Sequence, residues 1–222
     1  WIILTSIGIC TNFFNGFRYA VAAYIFQYCM GGDITVGSLI INYTVFMAFG
    51  EVTCMIFGGV SPKFTAWVGS KRMAFILSSI VCLVLSVAFF FVPMTPSSIW
   101  IMITLVVLTS VGVGIFSPLL WSMYADVADY ATETFGTSST GLIFSSGTMA
   151  QKFGGAVSGS LIALLLGLAG ASMMKDDFGN SVIDPASITD SVLTMVWSLF
   201  SLIPAGIAII MALLAWLYPI KK

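Results

Sequence analysis

The chain has 222 residues, of which 59% are hydrophobic and only 8% charged, and its mean hydropathy is +1.07. This composition excludes an ordinary soluble domain and is typical of a protein that crosses a membrane several times. A net charge of −1 leaves no basic face for nucleic acid, and the absence of histidine excludes histidine-based catalysis and most zinc sites.

Six apolar segments are long enough to cross a bilayer whose hydrocarbon core is about 30 Å thick. They cover approximately residues 2–29, 36–60, 73–93, 98–121, 139–170 and 192–218. We therefore predict an all-α membrane protein, with one six-helix transmembrane domain over residues 1–222. The start at Trp1, without a methionine or a basic leader, indicates a piece of a longer polypeptide.

The basic residues predict the orientation of these spans. An even number of spans places both termini on one side of the membrane. On the opposite side only Lys175 is basic, in a polar link that we interpret as solvated loop. The side of the termini carries Lys63, Lys71, Arg72, Lys221 and Lys222. The positive-inside rule therefore predicts that both termini are cytoplasmic.

The first span carries a polar stripe, because Thr11, Asn15 and Arg18 recur at helical spacing and share one face. We expect Thr11 and Asn15 to line a cavity. Glu51 lies near the centre of the second span, at a depth similar to that of Arg18 if the two helices are antiparallel. Two interpretations stay open: Arg18 and Glu51 form a buried charge pair, or each lines water separately.

The fifth span carries Lys152 close to the middle of the membrane. If this helix enters hydrocarbon near Leu142, Lys152 lies about 15 Å further in. An ammonium group there costs on the order of 3 kcal/mol unless it faces a partner or water. Ser145 and Thr148 share its face. A small residue then follows at every fourth position, which indicates close helix packing: Gly155, Gly159, Ala163 and Gly167.

Counting charges within the predicted spans gives two cations, Arg18 and Lys152, and one carboxylate, Glu51. If Arg18 pairs with Glu51, Lys152 has no partner at its own depth. Asp126 and Asp129 are too shallow, because they begin the loop after the fourth span. We therefore expect the missing carboxylate to come from another polypeptide segment.

Four motifs stand in the second half of the chain: Pro118-Leu119-Leu120-Trp121, Asp126-Val127-Ala128-Asp129-Tyr130, Gly141-Leu142-Ile143-Phe144 and Ala150-Gln151-Lys152-Phe153-Gly154-Gly155-Ala156. Together they resemble the glycoside-pentoside-hexuronide:cation symporters, the melibiose-permease group of the major facilitator superfamily. The resemblance covers the whole chain, and Trp1-Ile2-Ile3-Leu4 is similar to the start of the family's seventh helix. It weakens after Tyr130, where Ala131-Thr132, Thr137-Ser138 and Thr140 replace charged residues common in the family.

The resemblance implies twelve helices in two pseudo-symmetric halves, of which this chain is the C-terminal six-helix bundle, a 3+3 inverted repeat. It implies cation-coupled uptake of a sugar or glycoside by alternating access, across a bacterial cytoplasmic (inner) membrane. The N-terminal half is then the partner that binds most of the coupling cation, Na⁺ or H⁺. No metal site and no further cofactor are expected in this half.

The resemblance also assigns roles to single residues. Lys152 matches a lysine beside the sugar and cation sites, where it supplies a donor and a counter-charge. Gln151 and Thr148 are expected to contact sugar hydroxyls. Trp121 either stacks on a sugar ring or anchors the helix at the interface. The cytoplasmic gate is expected to include Asp126 and Asp129.

Two other functions fit parts of the sequence. Asp126 and Asp129 lie one helical turn apart, as in a carboxylate pair of an intramembrane enzyme, but the chain has no histidine and no Gly-x-Ser-x-Gly motif. We therefore predict that the chain is not an enzyme. The alternative within membrane transport is a self-assembling six-helix channel or a small homodimeric transporter, in which two copies close the cavity.

Overall fold

The computed structural model describes residues 1–36, 39–93, 95–136, 139–175 and 181–219. Within these ranges the chain forms seven α-helices: α1 (Ile2–Tyr24), α2 (Tyr43–Val68), α3 (Lys71–Phe90), α4 (Ile99–Phe135), α5 (Thr140–Leu168), α6 (Asp190–Phe200) and α7 (Leu202–Leu217). A π-helical turn, Ile25–Cys29, continues α1, and short 3-10 turns at Pro96–Ser98 and Pro185–Ser187 precede α4 and α6. Four residues named in the sequence analysis lie outside the described residues: Thr137, Ser138, Lys221 and Lys222.

Two antiparallel hairpins join helices at one end of the bundle. The first pairs β1 (Ile34–Val36) with β2 (Leu39–Ile41), and the second pairs β3 (Met173–Lys175) with β4 (Ser181–Ile183). Tyr28, in the π-helical turn that continues α1, connects the second hairpin to it, because its hydroxyl accepts from the backbone N–H of Ile183 at 2.9 Å. The ends of α1, α2, α5 and α6 are thus held together on one side.

The second span differs from its predicted range of 36–60. The helix begins only at Tyr43, because the first hairpin precedes it and Asn42 caps it by accepting from the backbone N–H of Val45 at 2.9 Å. It continues past Pro62 as far as Val68. A proline removes one backbone hydrogen bond, which a packed membrane helix tolerates. Gly69 then ends the helix in the left-handed region, with φ +80°.

The fourth span is also longer than predicted, since α4 continues fourteen residues beyond position 121 to Phe135. Buried Phe116, Leu119 and Leu120 pack on both sides of Pro118 and sustain the helix across it. Asp126 and Asp129 therefore lie on this helix rather than at the start of a loop, which corrects the sequence interpretation.

The last predicted span, 192–218, is broken into α6 and α7 at Ser201. Pro204 in the first turn of α7 has no N–H to donate to the preceding turn, so the backbone hydrogen bonds of the helix are interrupted there. Before α6, Asp184 caps the short 3-10 turn at Pro185–Ser187, since its side chain accepts from the backbone N–H of Ala186 at 2.9 Å.

The core consists of two apolar clusters stacked along the helix axes. The hairpin-end cluster includes Phe17, Val106 and Ile162, and the terminus-end cluster includes Phe14 and Val113. Successive helical segments run through the two clusters in alternate directions, so Trp1 and Tyr218 lie at the same end of the bundle. Buried polar side chains lie where the clusters meet: Arg18, Ser86, Thr109, Ser110 and Ser158.

The helix packing has an internal two-fold pattern. The most extensive contacts join α1 with α5, α2 with α4, α3 with α7, α3 with α4, and α1 with α7. If α1 is exchanged with α4, α2 with α5, and α3 with the α6–α7 pair, the same set of contacts results. The bundle therefore has the pairing expected of a 3+3 repeat.

Within the described residues, five helical segments are long and apolar enough to cross a membrane: Tyr43–Val68, Lys71–Phe90, Pro96–Phe135, Thr140–Leu168 and Asp190–Leu217. Helix α1 has 23 residues but is less apolar, because it carries Asn12, Asn15 and Arg18. The all-α membrane architecture is thereby confirmed, whereas the count of six spans stays a prediction.

Candidate functional site

A polar recess lies between α1, α4 and α5, with a volume of about 130 Å³. It brings together four of the six residues that were predicted to bind substrate or line the cavity. Thr11 and Asn15 enter it from α1, Trp121 from α4 and Gln151 from α5. The recess is completed by residues that the sequence argument did not select: Gly8, Asn12, Ser117, Leu120, Tyr124 and Gly147.

Thr11 is the most unusual group of the recess. Its residue is only 4% exposed, and its hydroxyl has no hydrogen-bond partner among the described residues. Several other helical threonines donate to the carbonyl four residues back, as Thr53 and Thr104 do. A buried hydroxyl without a partner costs about 1 to 3 kcal/mol, so Thr11 is poised to bind water or a ligand.

The neighbouring amides add donors and acceptors to the same space. The Asn12 amide donates to the carbonyl of Gly8 at 2.7 Å, which fixes its orientation. The side-chain amides of Asn15 and Gln151 form no hydrogen bond within the described parts of the chain. The lining of the recess contains no charged side chain, so it suits a neutral ligand rich in hydroxyl groups.

A cluster of aromatic rings borders the recess on the side of α4. The Trp121 ring stacks on Phe144, with centroids 6.3 Å apart and an interplanar angle of 9°, and it also contacts Tyr124 at 5.7 Å. A Cβ at Gly147 would come within 3.2 Å of ring atoms of both Trp121 and Tyr124. Gly147 therefore allows the two rings to lie directly against α5.

Lys152 and Thr148 lie beside the recess rather than in its lining. Both are on the exposed side of α5, where the Thr148 hydroxyl donates to the carbonyl of Phe144 at 3.2 Å. Lys152 forms no ion pair with any residue that the structure describes. Asp126 is not available to it, because this carboxylate already binds Lys71.

Two interpretations of Arg18 and Glu51 stayed open, and the two side chains form no ion pair in the described part of the chain. Arg18 is 6% exposed, its guanidinium lies over the Phe14 ring at 5.5 Å, and its Nη2 atom has no partner among the described groups. Glu51 is exposed and acts on Arg18 only as a nearby charge, without an ion-pair contact within the described part of the chain. Similar depth on two helices did not determine which way each side chain turns.

The predicted gate contains an ion pair that the sequence argument did not find. Lys71, the first residue of α3, donates to an Asp126 carboxylate oxygen of α4 at 2.7 Å, and the side chains are 27% and 14% exposed. Asp129 is exposed on the same helix and takes no part in this pair. The antiparallel arrangement of α3 and α4 could have predicted this pair, because it brings the start of α3, with Lys71, close to the end of α4, with Asp126.

Tyr218 packs beside this ion pair at the same end of the bundle. Its hydroxyl donates to the carbonyl of Met123 at 3.4 Å. Burial, and secondly the nearby Asp126 carboxylate, raise the pKa of Tyr218 to about 12. Tyr218 therefore stays neutral throughout the physiological pH range.

The small residues of α5 also differ from prediction. Close approach to α1 and α4 involves Gly147 and Gly154, where an added Cβ would come within 3.1 Å and 2.6 Å of neighbouring atoms. Gly155, Gly159 and Gly167 are exposed, with nothing within 4 Å of an added Cβ. The predicted glycine stripe thus continues the exposed face of Lys152 instead of packing against this bundle.

A sequence profile of the MFS/sugar transport protein family matches residues 1–222. The chain belongs to this family. The glucuronide carrier protein homolog of Escherichia coli (strain K12) is 25% identical over 162 residues, which are 72% of this chain and 32% of that protein. The inner membrane symporter YicJ of the same organism is 28% identical over 177 residues, 78% of this chain and 36% of YicJ.

An uncharacterized 29.9 kDa protein of Pseudescherichia vulneris is 30% identical over 129 residues, 58% of this chain and 46% of that protein. The chain thus spans about a third to a half of the curated relatives it matches. No solved structure matches it. Membership of a sugar transport family confirms that the chain is a multi-pass membrane protein from a family of transporters, not of enzymes.

Proposed function

We propose that this chain is the C-terminal half of a cation-coupled sugar transporter and that the recess between α1, α4 and α5 is its part of the sugar site. The observation that carries this proposal is the buried Thr11 hydroxyl, which has no partner among the described residues and lines a recess of neutral amides and hydroxyls. The family match and the relatives named as a glucuronide carrier homolog and a symporter support a sugar or glycoside substrate.

In this proposal the recess holds only one end of the substrate. Its volume of about 130 Å³ leaves room for about four water molecules at roughly 30 Å³ each. Thr11, Asn15 and Gln151 exchange hydrogen bonds with sugar hydroxyls, and the exposed part of Trp121 covers an apolar ring face. The N-terminal half supplies the rest of the site.

Lys152 connects the two ligands of the proposed transporter. It follows Gln151, which lines the recess, on the exposed side of α5, and it has no carboxylate partner among the described residues. The coupling cation, Na⁺ or H⁺, is transported cargo and binds mainly to carboxylates of the N-terminal half. While those carboxylates are empty, the ammonium offsets their charge, and when the cation arrives Lys152 is free to donate to a sugar hydroxyl. Sugar and cation then bind cooperatively.

The recess is tested by replacing Thr11 with valine, which has the same shape but no hydroxyl. We expect sugar affinity in the complete transporter to fall about 3- to 10-fold, because one neutral hydrogen bond is lost. The melting temperature without sugar is expected to stay unchanged or to rise, since a buried hydroxyl without a partner disappears. Calorimetric titration and thermal unfolding measure the two effects.

Thr104→Val is the matched control, because the Thr104 hydroxyl is exposed and already donates to the carbonyl of Trp100 at 2.8 Å. It should leave sugar affinity unchanged. A parallel loss of stability and affinity in Thr11→Val would show a structural role and contradict the assignment. Gradient-driven uptake by this chain alone would instead support the homodimeric alternative.

The proposed location is a bacterial inner membrane with both termini in the cytoplasm. Lys63, Lys71 and Arg72 lie toward the terminus end of the bundle, and one relative is named as an inner membrane symporter. Single cysteines at Ser70 and Asp33 in a cysteine-free background are expected to react from opposite sides of right-side-out vesicles. Only the one at Asp33 should react with an impermeant reagent added outside, and reaction at Ser70 would reverse the orientation.

A further inference from the structure

A groove with a volume of about 770 Å³ runs along the bundle between α1, α2 and α5. It is separate from the polar recess, because none of the residues that line the recess lines the groove. It extends toward the hairpin end, from Gly16 to Ala23 on α1 and from Glu51 to Tyr43 on α2. The groove is therefore a second candidate site, distinct from the proposed sugar site.

The walls of the groove are mainly small and apolar. Gly155 and Gly159 form part of the α5 side, and a Cβ added at either would have no atom within 4 Å. Alanines form part of the other two sides: Ala20, Ala23 and Ala48. Small-molecule sites in proteins commonly enclose about 300 to 1,000 Å³ between mostly apolar walls. The groove thus has the size and the surface to hold a bulky apolar group.

A single carboxylate gives the groove its charge. Among the described residues that line the groove, Glu51 alone is ionisable to an anion or cation at neutral pH. It is exposed and forms no hydrogen bond or ion pair with any group that the structure describes. A carboxylate between apolar walls is costly unless a cation or water faces it. Glu51 therefore favours a positively charged ligand.

The two cations of the predicted spans do not occupy the groove. The charge of Arg18 acts on that of Glu51, but its guanidinium is turned into the bundle, over the Phe14 ring. Lys152 of α5 does not line the groove, where the first α5 residue is Gly155. Within the described part of the chain, the position facing Glu51 is thus open to a cation from outside it.

Two tyrosines add aromatic surface to the groove. Tyr19 of α1 and Tyr43 of α2 both line it, and both are exposed. The faces of aromatic rings attract organic cations. Tyr43 is the first residue of α2 and Glu51 lies eight residues further along, about 12 Å away at roughly 1.5 Å per residue. One apolar molecule can therefore reach aromatic surface while its charge stays near the carboxylate.

We infer that the groove is a binding site for an organic cation, a molecule with an apolar body and one positive charge. The alanine and glycine walls hold the body, and Glu51 with the rings of Tyr19 and Tyr43 selects the charge. This ligand is additional to the sugar, and its recognition does not depend on the recess.

The charge preference is tested with tetraphenylphosphonium and tetraphenylborate, a cation and an anion of the same shape. We expect radiolabelled tetraphenylphosphonium to bind saturably to the complete transporter in lipid nanodiscs. Glu51→Gln should weaken this binding by at least about fivefold, because a carboxylate between apolar walls attracts a cation more strongly than one in water. Tetraphenylborate, measured in separate samples, should gain rather than lose affinity in Glu51→Gln.

The matched control is Glu133→Gln, which removes the same charge from an exposed position of α4 outside the groove. It should change the affinity for tetraphenylphosphonium by less than about twofold, since exposed charges at a distance are screened. Tyr19→Leu should weaken binding about 2- to 5-fold, whereas Tyr19→Phe, which keeps the ring, should retain it.

Three results would overturn the inference. The first is binding that does not saturate, or an affinity that Glu51→Gln leaves unchanged. The second is an equal loss in Glu133→Gln, which would show an effect of net charge alone. The third is a lower melting temperature of Glu51→Gln without any bound tetraphenylphosphonium, which would show that a basic side chain of the protein already faces Glu51.

Thr11→Val separates this site from the proposed sugar site. We expect it to leave the affinity for tetraphenylphosphonium unchanged, because Thr11 lines the recess and not the groove. A loss of tetraphenylphosphonium binding in this variant would place the cation in the recess and would overturn the inference. If the unmodified transporter binds no sugar but shows Glu51-dependent binding of the cation, the proposed function fails and the cation site stands.

Discussion

Replacing Lys152 with alanine or glutamine in the complete transporter is expected to weaken sugar binding by at least about tenfold, because hydrogen bonds to a charged group contribute roughly 1.5 to 3 kcal/mol. The position supports this expectation. Lys152 lies on the exposed face of α5 next to Gln151, which lines the recess, and it has no ion-pair partner within the described residues. Calorimetric titration with sugar, with and without saturating cation, measures the effect.

The same variants test whether Lys152 couples the two ligands. If it does, the factor by which the cation raises sugar affinity should shrink in Lys152→Ala, and the effect of sugar on cation affinity should shrink equally. Lys152→Arg should not restore it fully, since the guanidinium is planar and bulkier. Lys63→Gln is the control, because Lys63 is an exposed lysine of α2 outside the recess. Unchanged affinity and unchanged cation dependence in Lys152→Ala would remove Lys152 from the site.

Substituting Gly154 with alanine is expected to lower the free energy of unfolding by about 1 to 3 kcal/mol, the usual cost of overpacking. The new Cβ would lie 2.6 Å from Asn12 Cβ and 3.1 Å from the backbone carbonyl of Ile9. Because backbone atoms cannot rotate away, α1 and α5 must separate. Since Asn12 lines the recess, sugar affinity should fall together with stability.

Gly167→Ala provides the comparison for this prediction. No atom lies within 4 Å of a Cβ at Gly167, so the change should be neutral or should stabilise the helix, by up to about 1 kcal/mol through helix propensity. Thermal unfolding of both variants in one lipid environment measures the difference. Equal stability of the two would show that α1 and α5 do not approach each other as closely as the structure indicates.

The sequence alone determined the class of protein, its family and the faces that carry polar groups. Hydropathy and helical spacing are properties of one segment at a time, so they identified the apolar spans, the stripe of Thr11 and Asn15 and the face shared by Thr148 and Lys152. The caps were predictable for the same reason, because Asp184 binds an N–H only two residues away. Motifs in the second half of the chain indicated the family, and the family profile that matches residues 1–222 confirmed it.

The tertiary structure decided which groups meet, and local patterns carry no such information. The rotation of each helix about its axis placed Gly154, rather than Gly155, against α1. It also turned Arg18 into the bundle and left Glu51 outside, although both lie at similar depth. Lys71 and Asp126 are 55 positions apart and form an ion pair only because α3 and α4 are antiparallel neighbours. Tertiary packing alone brought Asn12, Ser117, Tyr124 and Gly147 to the recess, since side chains from three helices converge only after those helices pack.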